Sequence, residues 1–206
     1  MKITDINPTK RGRFAIFGDG VYIDSVDDET LVISRIKVGT DIDEFELEKL
    51  LADSKKKKAK DKALRLLSFR DHSRAELIQK LQCSTDEEAA EQAAERMEQL
   101  GLIDDTMFAK KYASELMLHK LYGRERAVYE MLHKGLDKET VLQAIEDIET
   151  DPNEQILKLL NKKYPSGINN ENDARKASAF LGRYGYKWDE IKQALRVYGT
   201  EEQDAD

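Results

Sequence analysis

One cysteine, three prolines and three histidines in 206 residues leave several kinds of chemistry without material. Cys83 has no second thiol to pair with, so an internal disulfide is excluded. With an N-terminus that does not read as a secretory leader, it points to a reducing, cytoplasmic setting. His72, His119 and His133 have no ligand spacing with one another or with Cys83, so no metal site is expected. No Gly-x-x-x-x-Gly-Lys-Ser/Thr run occurs, which removes a P-loop ATPase. LGRYG, near Gly182, is glycine-rich but follows a helical pattern rather than a strand, and reads as a cap. No apolar run approaches the roughly 18 residues that a membrane span requires. Carboxylates are plentiful, yet they recur at solvent-face spacing and form no catalytic constellation. The expectation is a protein that is not an enzyme and carries no cofactor.

What is present is repetition. GLDKETVLQAI begins at Gly135, and GYKWDEIKQAL begins at Gly185. Each has a Gly, a large apolar residue (Leu136 or Tyr186), a second apolar residue (Val141 or Ile191), and a closing Gln-Ala-apolar triplet. This is the pattern of a helix-ending glycine, a short turn and a new amphipathic helix. A recurrence at this interval marks a tandem helical unit. Upstream, Val128 and Leu132, with Met131 beside them, match Ala177 and Leu181, with Phe180 beside them; Leu77 and Leu81 supply a third copy. Ala63 to Leu67 resembles Ile156 to Leu160, while Phe108, Ala109 and Tyr112 hold that place in the middle unit. The last helix of the first unit is expected from about Asp86 to Leu100, with Ala89, Ala93 and Met97 inside.

Boundary signals agree. Ser73 with Glu76, and Thr85 with Glu88, read as capping boxes. Asp151 precedes Pro152 at a first helical position. Gly101 stops a periodic run and Asp104 caps the next helix. Residues 1–50 differ: KITDI, FAIF, VYI and ETLVIS read as strands, with Asp19-Gly20 as a hairpin turn. From about Asp43 a helix carries KKKKAK as a solvated surface and leads into the first unit.

The fold expected is mainly α: an elongated tandem array of three three-helix units, with a small N-terminal β-hairpin or sheet element. Residues 1–50 hold the β element and the start of a linking helix. Residues 51–103 hold that helix and the first unit, 104–150 the second, 151–199 the third and 200–206 an acidic tail.

Charge is segregated beneath a net of −7. Residues 55–82 carry ten Lys or Arg against three Asp or Glu, whereas residues 83–105 carry one against eight. Residues 106–135 carry six against three, and residues 136–151 one against six. The first two helices of the first two units are therefore basic and their third helices acidic. The third unit carries nine against five over residues 152–199, and its last helix retains Lys192 and Arg196. Stacked in register, such units would present a two-signed strip, suited to a partner that displays both charges. Aromatics gather late, at Tyr164, Phe180, Tyr184, Tyr186, Trp188 and Tyr198. Phe180 has core spacing; Tyr184, Trp188 and Tyr198, near unit edges, are open to stacking on bases.

Two stretches resemble the RecX family, regulatory proteins that modulate the recombinase RecA. RDHSRAELIQKL is similar to the family's Arg-x-x-Ser-x-x-Glu-Leu signature, at Arg70, Ser73, Glu76 and Leu77. GLIDDTMFAKKYA is similar to its Gly-Leu-Ile-Asp-Asp and Phe-Ala signature, at Gly101 to Asp105, Phe108 and Ala109. GRERAVYEMLHKG resembles its second unit. The likeness runs from about Lys58 to Gly199, and the β segment is similar to an extension in some members. Where the family commonly closes the first middle helix with Gly, this chain reads Gln82-Cys83-Ser84. The resemblance implies tandem three-helix modules lying along the RecA–single-stranded-DNA filament. It also implies inhibition of RecA's ATPase, strand exchange and co-protease activity. On that reading the contacts expected are Arg70, Arg74, Lys110, Lys111, Arg126 and Lys134, with Arg126 and Lys134 facing solvent on one stripe. A monomer is expected, with at most weak DNA contact of its own. A helix-turn-helix-like DNA binder and a generic helical adaptor are the alternatives.

Overall fold

The computed structural model describes residues 1–10 and 12–200, with only the backbone at 199 and 200. The acidic tail thus lies outside the described residues, apart from the backbone of Thr200. The chain forms two compact units, Met1–Ile103 and Asp104 onward.

The first unit opens with three antiparallel strands in the order β1-β2-β3: β1 (Ile3–Pro8), β2 (Phe14–Gly18) and β3 (Val21–Val26). Asp19 (φ 49°) and Gly20 (φ 83°) make the hairpin turn expected of an Asp-Gly pair with both residues left-handed. Residues 29–34, whose pattern predicts a strand, belong instead to the helix α1 (Asp28–Ser34). The β-branched run suggested extension, but Asp27 accepts from the Thr30 amide and Asp28 and Glu29 fill the first turn, which favours a helix start.

A 26-residue helix, α2 (Glu44–Phe69), begins at a full capping box between Asp43 and Glu46 and contains the KKKKAK run. Its N-terminal half covers the sheet: Leu50, with Leu47 and Leu51, packs on Ile3, Ile16, Val26 and Ile42. A small sheet needs such a cover to persist. Polar bonds reinforce it. Ser54, nearly buried, donates to Asp27 (3.1 Å) and accepts from Arg13 (2.9 Å), whose guanidinium also binds the Ser25 carbonyl. Burial alone would raise the Asp27 pKa; bonds from Thr30 and Ser54 outweigh it and hold the carboxyl below its ordinary value.

The C-terminal half of α2 starts a three-helix bundle with α3 (Arg74–Gln82) and α4 (Glu87–Gln99). Its core is Ala59, Ala63, Leu77, Leu81, Met97 and the alanines of α4. Ser73 caps α3 (3.1 Å to the Glu76 amide). The cap of α4 is Asp86 rather than Thr85: the carboxylate accepts from the Ala89 amide (3.0 Å), while the Thr85 hydroxyl turns back to Leu81 O (3.1 Å). Without a closing glycine, α3 ends in right-handed Cys83, and the Lys62 ammonium binds Lys80 O and Ser84 Oγ.

The second unit holds two more bundles. The first is α5 (Asp105–Ser114), a π-helical turn (Glu115–His119), α6 (Arg124–His133) and α7 (Lys138–Glu146). The second is α8 (Pro152–Lys163), α9 (Glu171–Arg183) and α10 (Trp188–Thr200). Asp104, Asp137 and Asp151 cap α5, α7 and α8. The residues of α6 that enter the core are Ala127 and Met131, one position before the Val128 and Leu132 expected; Leu132 is exposed. The repeat is thereby more regular than the sequence suggested. Leu77, Ala127 and Ala177 recur at intervals of about fifty, as do Leu81, Met131 and Leu181, and all are fully buried. Alanine at 127 hid the phase, because a larger neighbour drew the apolar pattern to itself.

Candidate partner-binding surface

Arg70 ends α2 in an extended conformation and turns its guanidinium onto Glu76. The bond is bidentate: Nη1 to Oε2 at 3.0 Å and Nη2 to Oε1 at 2.8 Å. Such a fork fixes geometry as well as charge. Behind it His72 is buried. The Lys80 ammonium can only donate, so the imidazole Nε2 accepts it (2.9 Å) and Nδ1–H donates to the Arg70 carbonyl (2.9 Å). Burial, and then the positive charges of Arg70 and Lys80, hold the ring below the ordinary histidine pKa, outweighing the opposing pull of Arg70 O and Glu76. Arg74, on the next turn, reaches Glu98 of α4 at 3.6 Å.

These positions explain the first signature. Ser73 caps, Glu76 clamps Arg70, and Leu77 is core. The second is similar: Gly101 adopts φ 69°, Ile103 is buried, Asp104 caps, and Phe108 and Ala109 enter the core. Both motifs are folding devices first.

In the second unit Lys110 lies 3.8 Å from Asp147, and Arg124 3.5 Å from Glu146. In the first unit Lys55 lies 3.1 Å from Asp86, which opens α4, and Arg74 pairs with Glu98, as Arg124 does with Glu146 in the second. Bases of the first and second helices thus meet acids of the third, in both repeats. Each pair is well exposed and worth at most about 1 kcal/mol. The segregated charge is partly used within each bundle. Lys111 is exposed on α5, and Lys134, half-buried, is the C-cap of α6.

Arg126 does not simply face solvent. Nε donates to Glu130 (2.7 Å), Nη1 to the Arg183 carbonyl (3.3 Å), and the guanidinium lies 5.3 Å from the centre of the Tyr122 ring. It sits on a joint between the second and third repeats. There Gly123 N donates to Tyr184 O at 2.8 Å. A Cβ on Gly123 would overlap the Gly185 carbonyl and lie 2.9 Å from the Tyr186 nitrogen. A Cβ on Gly185, itself at φ 87°, would meet the backbone of Arg126. The two repeats therefore touch backbone to backbone.

Side chains complete the joint. The π-helical turn and left-handed Leu121 (φ 56°) leave carbonyls outside the regular α-helical ladder. Gln155 donates to Met117 O (2.8 Å). The Tyr186 hydroxyl shares its proton between Leu121 O (2.9 Å) and Gln155 Oε1 (3.0 Å). Burial pushes the Tyr186 pKa well up, so the phenol stays protonated to donate. Sequence reasoning missed this joint. Its one visible sign was a glycine at 123, where the first repeat has the capping Ser73.

Of the late aromatics, Tyr198 is core and donates to Tyr164 O (2.6 Å), and Tyr184 packs edge-on against Tyr122. Phe180 is half-buried with the Lys163 ammonium over its ring (3.6 Å), and Trp188 is exposed. No helix among the described residues is long and apolar enough to cross a membrane.

Comparison with known proteins bears on this arrangement. Residues 59–97 match a family model described as RecX, first three-helix domain. A regulatory protein RecX of Chlorobium phaeobacteroides is 35% identical over 147 residues, covering 70% of this chain and 96% of that one. A regulatory protein RecX of Clostridioides difficile is 28% identical over 198 residues, covering 94% and 93%. A crystal structure of a regulatory protein RecX superposes with a TM-score of 0.61 at 24% identity, covering 94% of this chain and 98% of that one. At that identity the likeness speaks for the fold.

Proposed function

Because this chain belongs to the RecX family of regulatory proteins, we propose that it binds the RecA–single-stranded-DNA filament. On this reading it restrains RecA's ATPase, strand exchange and co-protease activity in the cytoplasm, acts as a monomer and performs no chemistry of its own. The observation that supports this most is the repetition of one module, with bases on the first two helices and acids on the third in its first two copies. A repeated surface suits a repeated partner, and a filament of protein and nucleic acid displays both signs of charge. Ligand-like bridging of neighbouring protomers would favour one filament conformation by differential binding.

Arg74, Lys110, Lys111 and Lys134 are the contacts proposed to act directly. Arg70 and Arg126 have the further task of holding Glu76 and the inter-repeat joint, so their replacement would mix binding with folding. The test is to add the protein to preformed RecA filaments on single-stranded DNA and follow ATP hydrolysis and filament mass together. Hydrolysis should fall, and Lys110→Glu/Lys111→Glu should weaken the inhibition several-fold with folding intact. Undiminished hydrolysis with the natural chain at saturating concentration would overturn the reading. Tight, sequence-selective binding to duplex DNA without RecA, falling steeply with salt, would instead favour a helix-turn-helix-like DNA binder.

A further inference from the structure

Four large apolar side chains lie bare within one short stretch of the N-terminal element: Val32 (75% exposed), Ile33 (72%), Val38 (61%) and Phe45 (74%). Singly such residues mean little. Ile33 among them lines a cavity, and exposed apolar surface at a cavity marks an interaction site. The cavity is a groove of about 720 Å³ bounded by α1, residues 36–42, α2 and α4. Ile33, Ile36, Ile42 and Leu50 form its apolar end. One side of α2 walls it from Glu46 to Asp61, roughly 22 Å at 1.5 Å per residue.

The charges are arranged along that length. Glu29 is taken by the Lys57 ammonium and Glu46 by the cap of α2. Asp41, Asp53 and Asp61 then remain against Lys49, Lys56, Lys60 and Arg96. Towards α4 three cations, Lys56, Lys60 and Arg96, outnumber two acids, Asp53 and Asp61. A nucleic acid fits poorly, because the groove has an apolar floor and near-balanced charge. An added strand fits no better, because residues 39–42 bond to residues 1–3 at the start of the β1 edge, and the long wall of the groove is a helix that offers side chains rather than free backbone.

We propose that this groove docks an amphipathic helix of a partner protein, with its apolar face at the α1 end and its carboxylates over Lys56, Lys60 and Arg96. Docking a helix into an apolar groove needs anchors three and four residues apart along about four turns, which the length of the α2 wall accommodates. This surface lies outside the six cations of the filament reading and stands whether or not that reading holds.

The test uses the full chain as bait for a displayed library of random 16-residue peptides, followed by fluorescence polarisation with the enriched peptides. Enrichment of amphipathic sequences with Asp or Glu beyond the apolar anchors is expected. Their affinity should fall at least tenfold in Ile33→Asp and in Lys56→Glu/Lys60→Glu. A peptide with those carboxylates changed to Lys should regain binding to the second variant. All three substituted side chains line the open groove, and circular dichroism checks that the fold is kept. No enrichment, enrichment of basic peptides, or affinities unchanged in both variants would overturn the proposal. So would concentration-dependent dimerisation abolished by Ile33→Asp, which would give the groove to a second copy of the chain.

Discussion

Ser73 and Gly123 stand at equivalent places, each immediately before the middle helix of its repeat, and they serve opposite ends. Ser73 uses its side chain to satisfy an orphan amide of α3. Gly123 has no side chain, leaves α6 without a side-chain cap, and lets the neighbouring repeat approach. One position secures its own helix, whereas the other gives up local stability so that two bundles meet. In a repeat protein the local rule and the interface rule compete at the same site. The structure shows the interface winning where a joint is made.

The comparison can be broken most severely at the other side of that joint. Gly185→Ala should destabilise the second unit by about 3 kcal/mol, from left-handed strain and overlap with the Arg126 backbone. Urea unfolding would show it as a lowered midpoint. Gly123→Ser restores the residue that the first repeat uses, and by capping alone would stabilise. It should instead destabilise by about 2 kcal/mol, because the new Cβ meets the Gly185 carbonyl. A gain in stability there would show that the backbone contact is looser than described. Ser73→Ala removes the cap of α3, so the first unit should lose about 1 kcal/mol.

The smallest effect is a pH dependence confined to the first unit. The folded pKa of His72 is depressed, so the unfolded chain binds its proton first as pH falls. The contribution of His72 is fully present above the unfolded value of about 6.5 and is lost as pH falls from there towards the folded value. Unfolding free energies measured across that range should decline, and His72→Gln should flatten the slope. An NMR titration placing the His72 transition at or above 6.5 would remove the effect.

Much of this molecule is legible in its sequence. Asp43, Ser73, Asp104 and Asp151 announce helix starts by chemistry that acts within three residues. Gly101, Gly135 and Gly185 mark stops in the same way. The strand reading of residues 29–34 fails because β-branched side chains carry only a weak preference, and Asp27 with two following acids decides for a helix. The phase of α6 was misread because Ala127 is small, and hydrophobicity weighs size before position. Of the six proposed contacts, the sequence placed all on basic helices, but it could not show that Arg70 is clamped by Glu76 or that Arg126 reaches the Arg183 carbonyl.

The amino-acid order on its own determined the helix boundaries, the recurrence of the module and its segregated charge, since each depends on neighbours a few residues apart. Tertiary structure alone decided that His72 is buried, that Gln155 and Tyr186 serve carbonyls of the preceding repeat, and that two glycines some sixty residues apart must both lack a Cβ. Those are requirements of close packing, in which a group is constrained by whatever the fold brings against it, however distant along the chain.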